Sequence, residues 1–228
     1  MLPRYVLFDL DGTISDSAPG ILAALRYAFE VNGLPPLDAE TERAILGPPF
    51  YESLPPLIGA ERLPDVIAAY RRHYGTGEGG AGGMFDTCAF PGVPELLAEL
   101  HSAGVQLAVA TSKPEAYAVP IVEHLELGDV FVTIGGDRLD GSLGTKALVV
   151  GEVLDRLGNP RPADVVMVGD RSHDVLGARA HGIDAVAVEW GYAVDGELEL
   201  AQPRWTCATA QEVARALASA VPETSAMA

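Results

Sequence analysis

Two aspartates one residue apart, Asp9 and Asp11, follow the first apolar run of the chain. This run, Tyr5–Phe8, is rich in β-forming side chains and predicts a buried strand. A strand that ends in Asp-x-Asp places both carboxylates at its carboxyl end, where open α/β sheets bind their ligands. Carboxylates clustered in such a place need a bound cation or a shifted pKa. The pair therefore indicates metal-dependent or acid–base chemistry.

Polar residues also follow a second predicted strand, residues 106–110. Thr111, Ser112 and Lys113 combine hydroxyls, a cation and the start of a helix, which is a suitable cradle for an anion. Lys146 begins a later predicted helix, so its charge can point toward the same edge of the sheet. Lys113 and Lys146 are the only lysines of the chain. The pattern predicts a phosphate site, although Ser112 could simply cap a helix and Lys113 could be a solvated charge.

A third predicted strand, residues 164–168, runs into Gly169 and Asp170, with Asp174 four residues later. Asp170 is expected to join the carboxylates at the end of the first strand. Asp174 could serve only as a helix N-cap, but we favour a role beside the metal, where it would orient the ligands.

The elements that carry these residues predict an α/β fold with a doubly wound, Rossmann-like parallel sheet. Strands and helices alternate from residue 90 onward, which is typical of such sheets with right-handed crossovers. Residues 16–86 contain helical patterns and no good strand. We therefore expect a core made of residues 1–15 and 87–228, with an all-α cap domain, residues 16–86, inserted into it. The glycine-rich stretch 75–83 follows a helix, which favours a flexible connector over a nucleotide-binding loop.

Three helices are predicted inside the inserted segment beyond its first helix, over residues 39–46, 51–58 and 64–74. The first helix is predicted to begin after Ser17, with Ser17 as its N-cap and a proline in the first turn.

Composition narrows the class of protein. The 228 residues carry a formal net charge of −17, which argues against nucleic-acid partners and against anionic membranes. The hydrophobic content of 48% suffices for a globular core. Cys88 and Cys207 fit no metal-binding spacing and are interpreted as reduced thiols. With no apolar leader or membrane-spanning run in the sequence, we expect a cytoplasmic protein.

Together, these motifs resemble the haloacid dehalogenase (HAD) superfamily, which consists mostly of magnesium-dependent phosphatases. The order is that of the superfamily: Asp-x-Asp, then Thr or Ser after the second strand, then Lys, then Gly-Asp-x-x-x-Asp. The resemblance is strongest to the phosphoglycolate-phosphatase-like and 5′-nucleotidase-like subgroup with a small helical cap. Gly47-Pro48-Pro49, Phe90-Pro91-Gly92 and Trp190-Gly191-Tyr192 are similar to that subgroup. One departure is Leu143-Gly144, where the subgroup pattern leads us to expect an arginine.

The resemblance implies a Mg²⁺-dependent hydrolysis of a small-molecule phosphate monoester through an aspartyl-phosphate. Asp9 would be the nucleophile, and Asp11 would act as general acid and then as general base. The resemblance also implies that the phosphate is bound by Gly12, Thr111, Ser112 and Lys146. It implies that the metal is bound by Asp9, Asp170 and the backbone carbonyl of Asp11. Asp174 would orient these ligands.

Other readings stay open at this point. A phosphoglucomutase-like phosphotransferase shares the core and cap, and a binding protein on the same scaffold is a further alternative. Asp11 speaks against a haloacid dehalogenase, because such an enzyme lacks the second aspartate. Phosphoglycolate and nucleoside 5′-monophosphates are both compatible with the motifs, and the sequence does not indicate an oligomeric state.

Overall fold

The computed structural model describes residues 1–80 and 83–220. The predicted connector 75–83 therefore includes two residues, Ala81 and Gly82, that lie outside the described residues. Eight strands are present in the described residues: β1 Tyr5–Phe8, β2 Ser15–Asp16, β3 Cys88–Ala89, β4 Gln106–Pro114, β5 Phe131–Asp137, β6 Val165–Gly169, β7 Asp184–Val188 and β8 Trp205–Cys207.

The helices fall into two groups along the chain. Five lie between β2 and β3: α1 Ala18–Val31, α2 Ala39–Ile45, α3 Phe50–Ser53, α4 Pro55–Ile58 and α5 Leu63–Thr76. Six more alternate with the later strands: α6 Val93–Ser102, α7 Glu115–His124, α8 Lys146–Arg156, α9 Ser172–Arg179, α10 Glu197–Ala201 and α11 Ala210–Ala220. Two 3₁₀ turns, Gly128–Val130 and Pro162–Asp164, lead into β5 and β6. Among the described residues, no helix combines the length and apolarity needed to cross a membrane.

Six strands form one parallel sheet in the order β5-β4-β1-β6-β7-β8. β1 is central, and its last residue, Phe8, lies opposite Val109 of β4 and Val168 of β6. The segments that follow β1, β4 and β6 therefore emerge at the same edge, because the three strands are parallel and in register. The predicted doubly wound α/β fold is confirmed, and its geometry gathers the polar motifs in one place.

Alternation along β1 divides the core into two layers. Val6 and Phe8 point into the apolar cluster on one face of the sheet, whereas Leu7 points into the cluster on the other. All three side chains are at most 1% exposed. Burying a side chain of this size contributes about 1.5–3 kcal/mol, so the strand that carries Asp9 is firmly anchored.

Helices α1–α5, which we call the helical segment (residues 18–76), follow the predicted pattern with one correction. The single helix predicted over 51–58 was wrong: the chain forms α3 and α4, with Leu54 between them. Pro55 and Pro56 lack the backbone N–H that a continuous helix needs, and this breaks the helix.

The chain enters and leaves the helical segment through neighbouring strands. β2 pairs with β3 in an antiparallel two-stranded sheet, with Ser15 opposite Ala89 and Asp16 opposite Cys88. These strands, like β8 and α10, were missed because two to five residues give no readable periodicity. The pairing fixes the two connections of the helical segment next to the end of β1.

Candidate active site

Asp9 is held at the end of β1 by the backbone and by one lysine. Its N–H donates to the carbonyl of Val168 at 2.9 Å, which continues the parallel pairing by one residue. Its Oδ1 accepts hydrogen bonds from the N–H of Leu10 at 2.8 Å and lies 2.8 Å from Nζ of Lys146. Asp9 is 6% exposed, so its other oxygen has a fixed direction in a largely dry site.

Lys146 reaches this carboxylate from the first residue of α8. The Thr145 hydroxyl caps the helix by accepting from the N–H of Leu148. Nζ of Lys146 lies 2.7 Å from Oδ1 of Asp174 and donates to the Ala110 carbonyl at 3.0 Å. Burial disfavours its charge, but Asp174 and Asp9 outweigh that effect and raise the pKa of Lys146 above its ordinary value. The side chain is therefore a permanent cation between two carboxylates.

Three buried carboxylates, those of Asp9, Asp170 and Asp174, offer oxygen atoms that all lie within 4.8 Å of one another. Burial is the main reason that the pKa values of Asp170 and Asp174 are raised, and the charge of Asp9 adds to it. One lysine cannot neutralise three carboxylates. A hard divalent cation with oxygen ligands is the partner such a cluster fits.

Asp170 is fixed by neighbours from two distant parts of the chain. Its Oδ1 accepts from the Thr13 hydroxyl at 3.2 Å, and its Oδ2 accepts from the Tyr192 N–H at 2.7 Å. A Cβ on Gly12 would lie 2.2 Å from Oδ2 of Asp170, and Gly12 has a φ of +81°. Glycine is therefore required at this position by both space and backbone conformation.

Asp174 has two roles rather than one. Helix α9 starts at Ser172, so Asp174 is its third residue rather than its N-cap. Its Oδ2 accepts from the N–H of Arg171 at 3.0 Å, which caps the helix, while its Oδ1 faces Lys146. A Cβ on Gly169 would lie 2.2 Å from Cγ of Asp174, so the motif glycine makes room for this carboxylate.

Asp11 lies in a different environment. Its Oδ1 accepts from the Ser17 hydroxyl at 2.5 Å and lies 3.0 Å from Nζ of Lys113. Nζ of Lys113 in turn donates to the hydroxyl of Tyr74, in helix α5, at 2.5 Å. Ser17 does stand at the predicted N-cap of α1, but its side chain makes no cap hydrogen bond and binds Asp11 instead. The Lys113 side chain is 4% exposed, so it is not a solvated surface charge.

The predicted phosphate residues of β4 directly follow Ala110, whose carbonyl binds Lys146. β4 continues to Pro114, so Thr111, Ser112 and Lys113 belong to the strand rather than to a loop after it. Thr111 is 1% exposed and its hydroxyl accepts from the N–H of Lys113 at 3.2 Å. Ser112 is half-buried and lines the pocket that contains Asp11.

That pocket lies between the six-stranded sheet and the helical segment, and aromatic and aliphatic side chains dominate its wall. Tyr70 stacks on Tyr74, with ring centroids 5.1 Å apart, and Phe50 contacts Tyr70 edge-on. Tyr117, from the core, contacts Tyr74 edge-on at 5.4 Å. Arg71 donates to the hydroxyl of Tyr51 at 3.0 Å and to the carbonyl of Leu139, so it bridges the helical segment and the loop after β5.

This arrangement can be compared with known proteins. The model of the haloacid dehalogenase-like hydrolase family matches residues 6–188, which contain every site residue described above except Tyr192. The chain belongs to this family. The family resemblance drawn from the motifs is thus confirmed.

Two curated relatives of this HAD chain carry different names. The chain is 45% identical over 190 residues to the tyrosine-protein kinase PtkA of Mycobacterium tuberculosis, an alignment that covers 83% of the chain and 63% of the relative. It is 33% identical over 209 residues to a 5′-nucleotidase of Pseudomonas aeruginosa, covering 90% of the chain and 92% of the relative. The chain thus spans less than two thirds of the length of the mycobacterial protein.

A solved structure gives the same fold. The crystal structure of a predicted phosphatase from Clostridium acetobutylicum superposes with a TM-score of 0.86 at 33% identity. The superposition covers 96% of this chain and all of the other, so the helical segment as well as the sheet has its counterpart there.

Several other polar residues and the two cysteines lie outside the central contacts. Arg72 pairs with Glu78 at 3.3 Å on the surface. His173 lies beside Asp174 in the chain, and burial lowers its pKa. Cys88 is exposed and Cys207 buried, both as free thiols.

Sequence reasoning assigned no contact in the HAD site to several residues that hold its carboxylates and lysines. Thr13, Ser17, Tyr74 and Tyr192 all bind a carboxylate or a lysine of the site. The proximity of Ser17 to Asp11 in the sequence was a usable signal. No local pattern connects Tyr74 with Lys113.

Proposed function

We propose that this HAD chain is a Mg²⁺-dependent phosphatase that hydrolyses a small-molecule phosphate monoester through an aspartyl-phosphate. The observation that carries the proposal is the pair of carboxylates after β1, each with its own buried lysine. Asp9 lies in the carboxylate cluster with Lys146, and Asp11 lies at the pocket with Lys113. Two neighbouring aspartates in such different environments are suited to different chemical roles.

Asp9 is the nucleophile in this proposal. Lys146 and the N–H of Leu10 bind its Oδ1, which leaves the other oxygen to attack phosphorus. The P–O bond to the leaving group breaks as the bond to Asp9 forms. Asp11 gives its proton to the departing oxygen, and it then takes a proton from the water that hydrolyses the aspartyl-phosphate.

The non-reacting oxygens of the phosphoryl group need donors that surround the end of β1. We assign this role to the hydroxyls of Thr111 and Ser112, from β4, and to the ammonium of Lys146, from α8. The Gly12 N–H would join them only on leaving its present partner, because it donates to the Ser15 carbonyl at 2.9 Å. β4 brings its hydroxyls to the end of β1 because the two strands are parallel neighbours. Donors fixed before the substrate arrives stabilise the charge of the transition state without reorganisation.

The carboxylate cluster supports Mg²⁺ as the cofactor. Asp9, Asp170 and the carbonyl of Asp11 would hold the ion, with Asp174 orienting Lys146 and the helix beside them. When bound, the ion would neutralise the negative charge of the phosphoryl group. The raised pKa values of Asp170 and Asp174 in the protein alone fit a cluster that is completed by a cation.

We further propose that residues 16–86 form a cap domain on a core made of residues 1–15 and 87–228. The paired connections β2 and β3 support a hinge there, and the pocket between the two parts supports a role in excluding water. Free Cys88 and Cys207 are consistent with the predicted cytoplasmic location.

The pocket favours one of the predicted substrate types. Aromatic and aliphatic side chains dominate its wall, and two of its three cations are already paired, Lys113 with Asp11 and Arg138 with Glu152. Such a wall suits a planar or apolar leaving group better than the small carboxylate of phosphoglycolate. A nucleoside 5′-monophosphate therefore fits better, in keeping with the name of the Pseudomonas relative.

The mycobacterial relative supports a second candidate function, the transfer of a phosphoryl group to tyrosine. The chemistry at Asp9 would be unchanged in its first half, with a nucleoside triphosphate as donor. A tyrosine hydroxyl would then replace water as the acceptor. Incubation with γ-labelled ATP and a tyrosine-containing protein separates the two functions, because label on tyrosine supports transfer and label in free phosphate supports hydrolysis.

The deciding experiment is phosphate release from a panel of phosphorylated metabolites, with Mg²⁺ and with chelator. We expect Mg²⁺-dependent release that Asp9→Asn abolishes while the circular-dichroism spectrum stays unchanged. Asp195→Asn, the same change on an exposed carboxylate of the core, is the matched control and should retain full activity. Substantial turnover by Asp9→Asn, or release that the chelator leaves unchanged, would overturn the proposal.

A further inference from the structure

The contacts of Asp11 are all made by one of its oxygens. The Ser17 hydroxyl and Nζ of Lys113 both bind Oδ1, at 2.5 and 3.0 Å. Among residues 1–80 and 83–220, Oδ2 has no hydrogen-bond partner. Asp11 lines the pocket, and its side chain is 14% exposed. The free oxygen is therefore the one available to a leaving group, and its direction depends on what holds Oδ1.

Lys113 is itself held by the helical segment. Its Nζ donates to the hydroxyl of Tyr74, which lies in α5, 39 residues earlier in the chain. Tyr74 is 2% exposed, and its ring packs between Tyr70 and Tyr117. A buried ring with partners on two sides has little rotational freedom, so the position of its hydroxyl reports the position of α5.

A continuous chain of contacts thus runs from the helical segment to the predicted general acid. Its links are Tyr74 to Lys113 and Lys113 to Asp11, with Ser17 on the other side of the same oxygen. Lys113 and Asp11 belong to the core, whereas Tyr74 is the member that moves away whenever the helical segment lifts from the core. Lys113 then loses the contact that fixes its end.

We propose that Tyr74 is a positioning residue, which acts through Lys113 to hold Asp11 in the orientation for protonating the leaving group only while the helical segment is seated on the core. This inference rests on the proposed phosphatase function. On this inference, Asp11 can transfer its proton only after the pocket has closed. A phosphorylated nucleophile is then formed only where bulk water is excluded.

The test uses a series of substituted phenyl phosphates of similar size but different leaving-group acidity. Proton donation matters most for poorly acidic phenols, so the slope of log kcat/KM against leaving-group pKa reports how well Asp11 acts. Tyr74→Phe keeps the ring and removes only the hydroxyl. We expect kcat/KM to fall about tenfold for the least acidic phenol and less than twofold for 4-nitrophenyl phosphate, so that the slope steepens.

Two further variants complete the design. Lys113→Met should steepen the slope at least as much, and combining it with Tyr74→Phe should add little, because both act through one contact chain. Lys113→Arg, which keeps the cation, should restore part of the shallow slope. Tyr27→Phe removes a hydroxyl of the same helical segment that binds Glu78 at 3.0 Å on the surface, and it should leave the slope unchanged.

A uniform loss across the series would overturn the inference, because it would show a structural role for Tyr74. If Tyr74→Phe gave the same slope as the wild type, the inference would be overturned as well. If the wild type releases no phosphate from any phenyl ester or metabolite, the proposed function fails instead. Thermal unfolding then tests the contact chain separately. If the Tm shift of the double variant equals the sum of the shifts of Tyr74→Phe and Lys113→Met, the two residues are not coupled.

Discussion

The two aspartates after β1 are one residue apart, yet the molecule holds them in different ways. Asp9 is surrounded by the core alone: the end of β6, the first residue of α8 and the carboxylates after β6. Asp11 is held by Ser17, next to the helical segment, and by Lys113, whose end is fixed by Tyr74 of that segment. The proposed nucleophile, Asp9, is thus organised in advance, whereas the proposed acid, Asp11, depends on how the two parts of the molecule meet.

This division gives each lysine a separate task. Lys146 compensates two buried carboxylates and is indispensable to the charge balance of the core. Lys113 contacts one carboxylate and connects it to the helical segment. The difference can be tested by substituting a residue that binds Asp9 and, separately, a residue that binds Asp11.

The largest effect on stability is expected for Lys146→Met. Removing the cation leaves Asp9 and Asp174 buried without a partner, so the free energy of unfolding in chelator should fall by about 3–5 kcal/mol. Urea titration measures it. Lys113→Met is the comparison and should lose less, about 1–2 kcal/mol, because Asp11 is partly exposed and keeps Ser17. Equal losses would remove the distinction between the two lysines.

A smaller effect, on activity, is expected for Ser17→Ala. The Ser17 hydroxyl donates a charge-assisted hydrogen bond to Oδ1 of Asp11, and its loss should lower kcat/KM by about tenfold while Lys113 still holds that oxygen. Steady-state phosphate release checks this. Ser53→Ala, which removes a hydroxyl bonded only to the Pro49 carbonyl, should be neutral. If Ser17 acted only as a helix cap, Tm would fall and kcat/KM would not.

The smallest effect concerns a second contact between the two parts. Arg171 binds the carbonyl of Leu46, at the end of α2, and Glu197 holds Arg171 through two bonds of 3.0 Å. Burial opposes the charge of Glu197, but hydrogen bonds from Arg171 and Ser172 outweigh it and lower the pKa to about 2. Glu197→Gln should therefore cost about 1–2 kcal/mol at pH 7.

The sign of the pH dependence follows from the lowered pKa. The contribution of Glu197 is complete above its ordinary pKa of 4.5, and it is lost as the pH falls from there toward about 2. Urea midpoints of wild type and Glu197→Gln should thus converge over this range. Glu199→Gln, an exposed carboxylate of the same helix, is the control and should match the wild type at every pH. A constant difference would mean that the carboxylate charge is not what stabilises Arg171.

The same division explains what the sequence could predict. The cluster of Asp9, Lys146, Asp170 and Asp174 was predictable because each residue directly follows a strand or lies in the first turn of a helix, and parallel strands bring those positions to one edge. The bond between Tyr74 and Lys113 was not, since it depends on how α5 packs against β4, which no local pattern encodes. Ser17 was predicted at the right place with the wrong partner, because a nearby carboxylate competed for its hydroxyl.

The central claim, that Asp9 is the nucleophile and Asp11 the acid–base group, has a direct test. Asp11→Asn should form the aspartyl-phosphate from 4-nitrophenyl phosphate and Mg²⁺, because that leaving group needs no proton, but should hydrolyse it slowly. Quenching and borohydride reduction convert an aspartyl-phosphate into homoserine, which peptide mass spectrometry locates. Homoserine at position 9 is the predicted result. An unmodified Asp9 after turnover in this variant, or homoserine at another aspartate, would contradict the account.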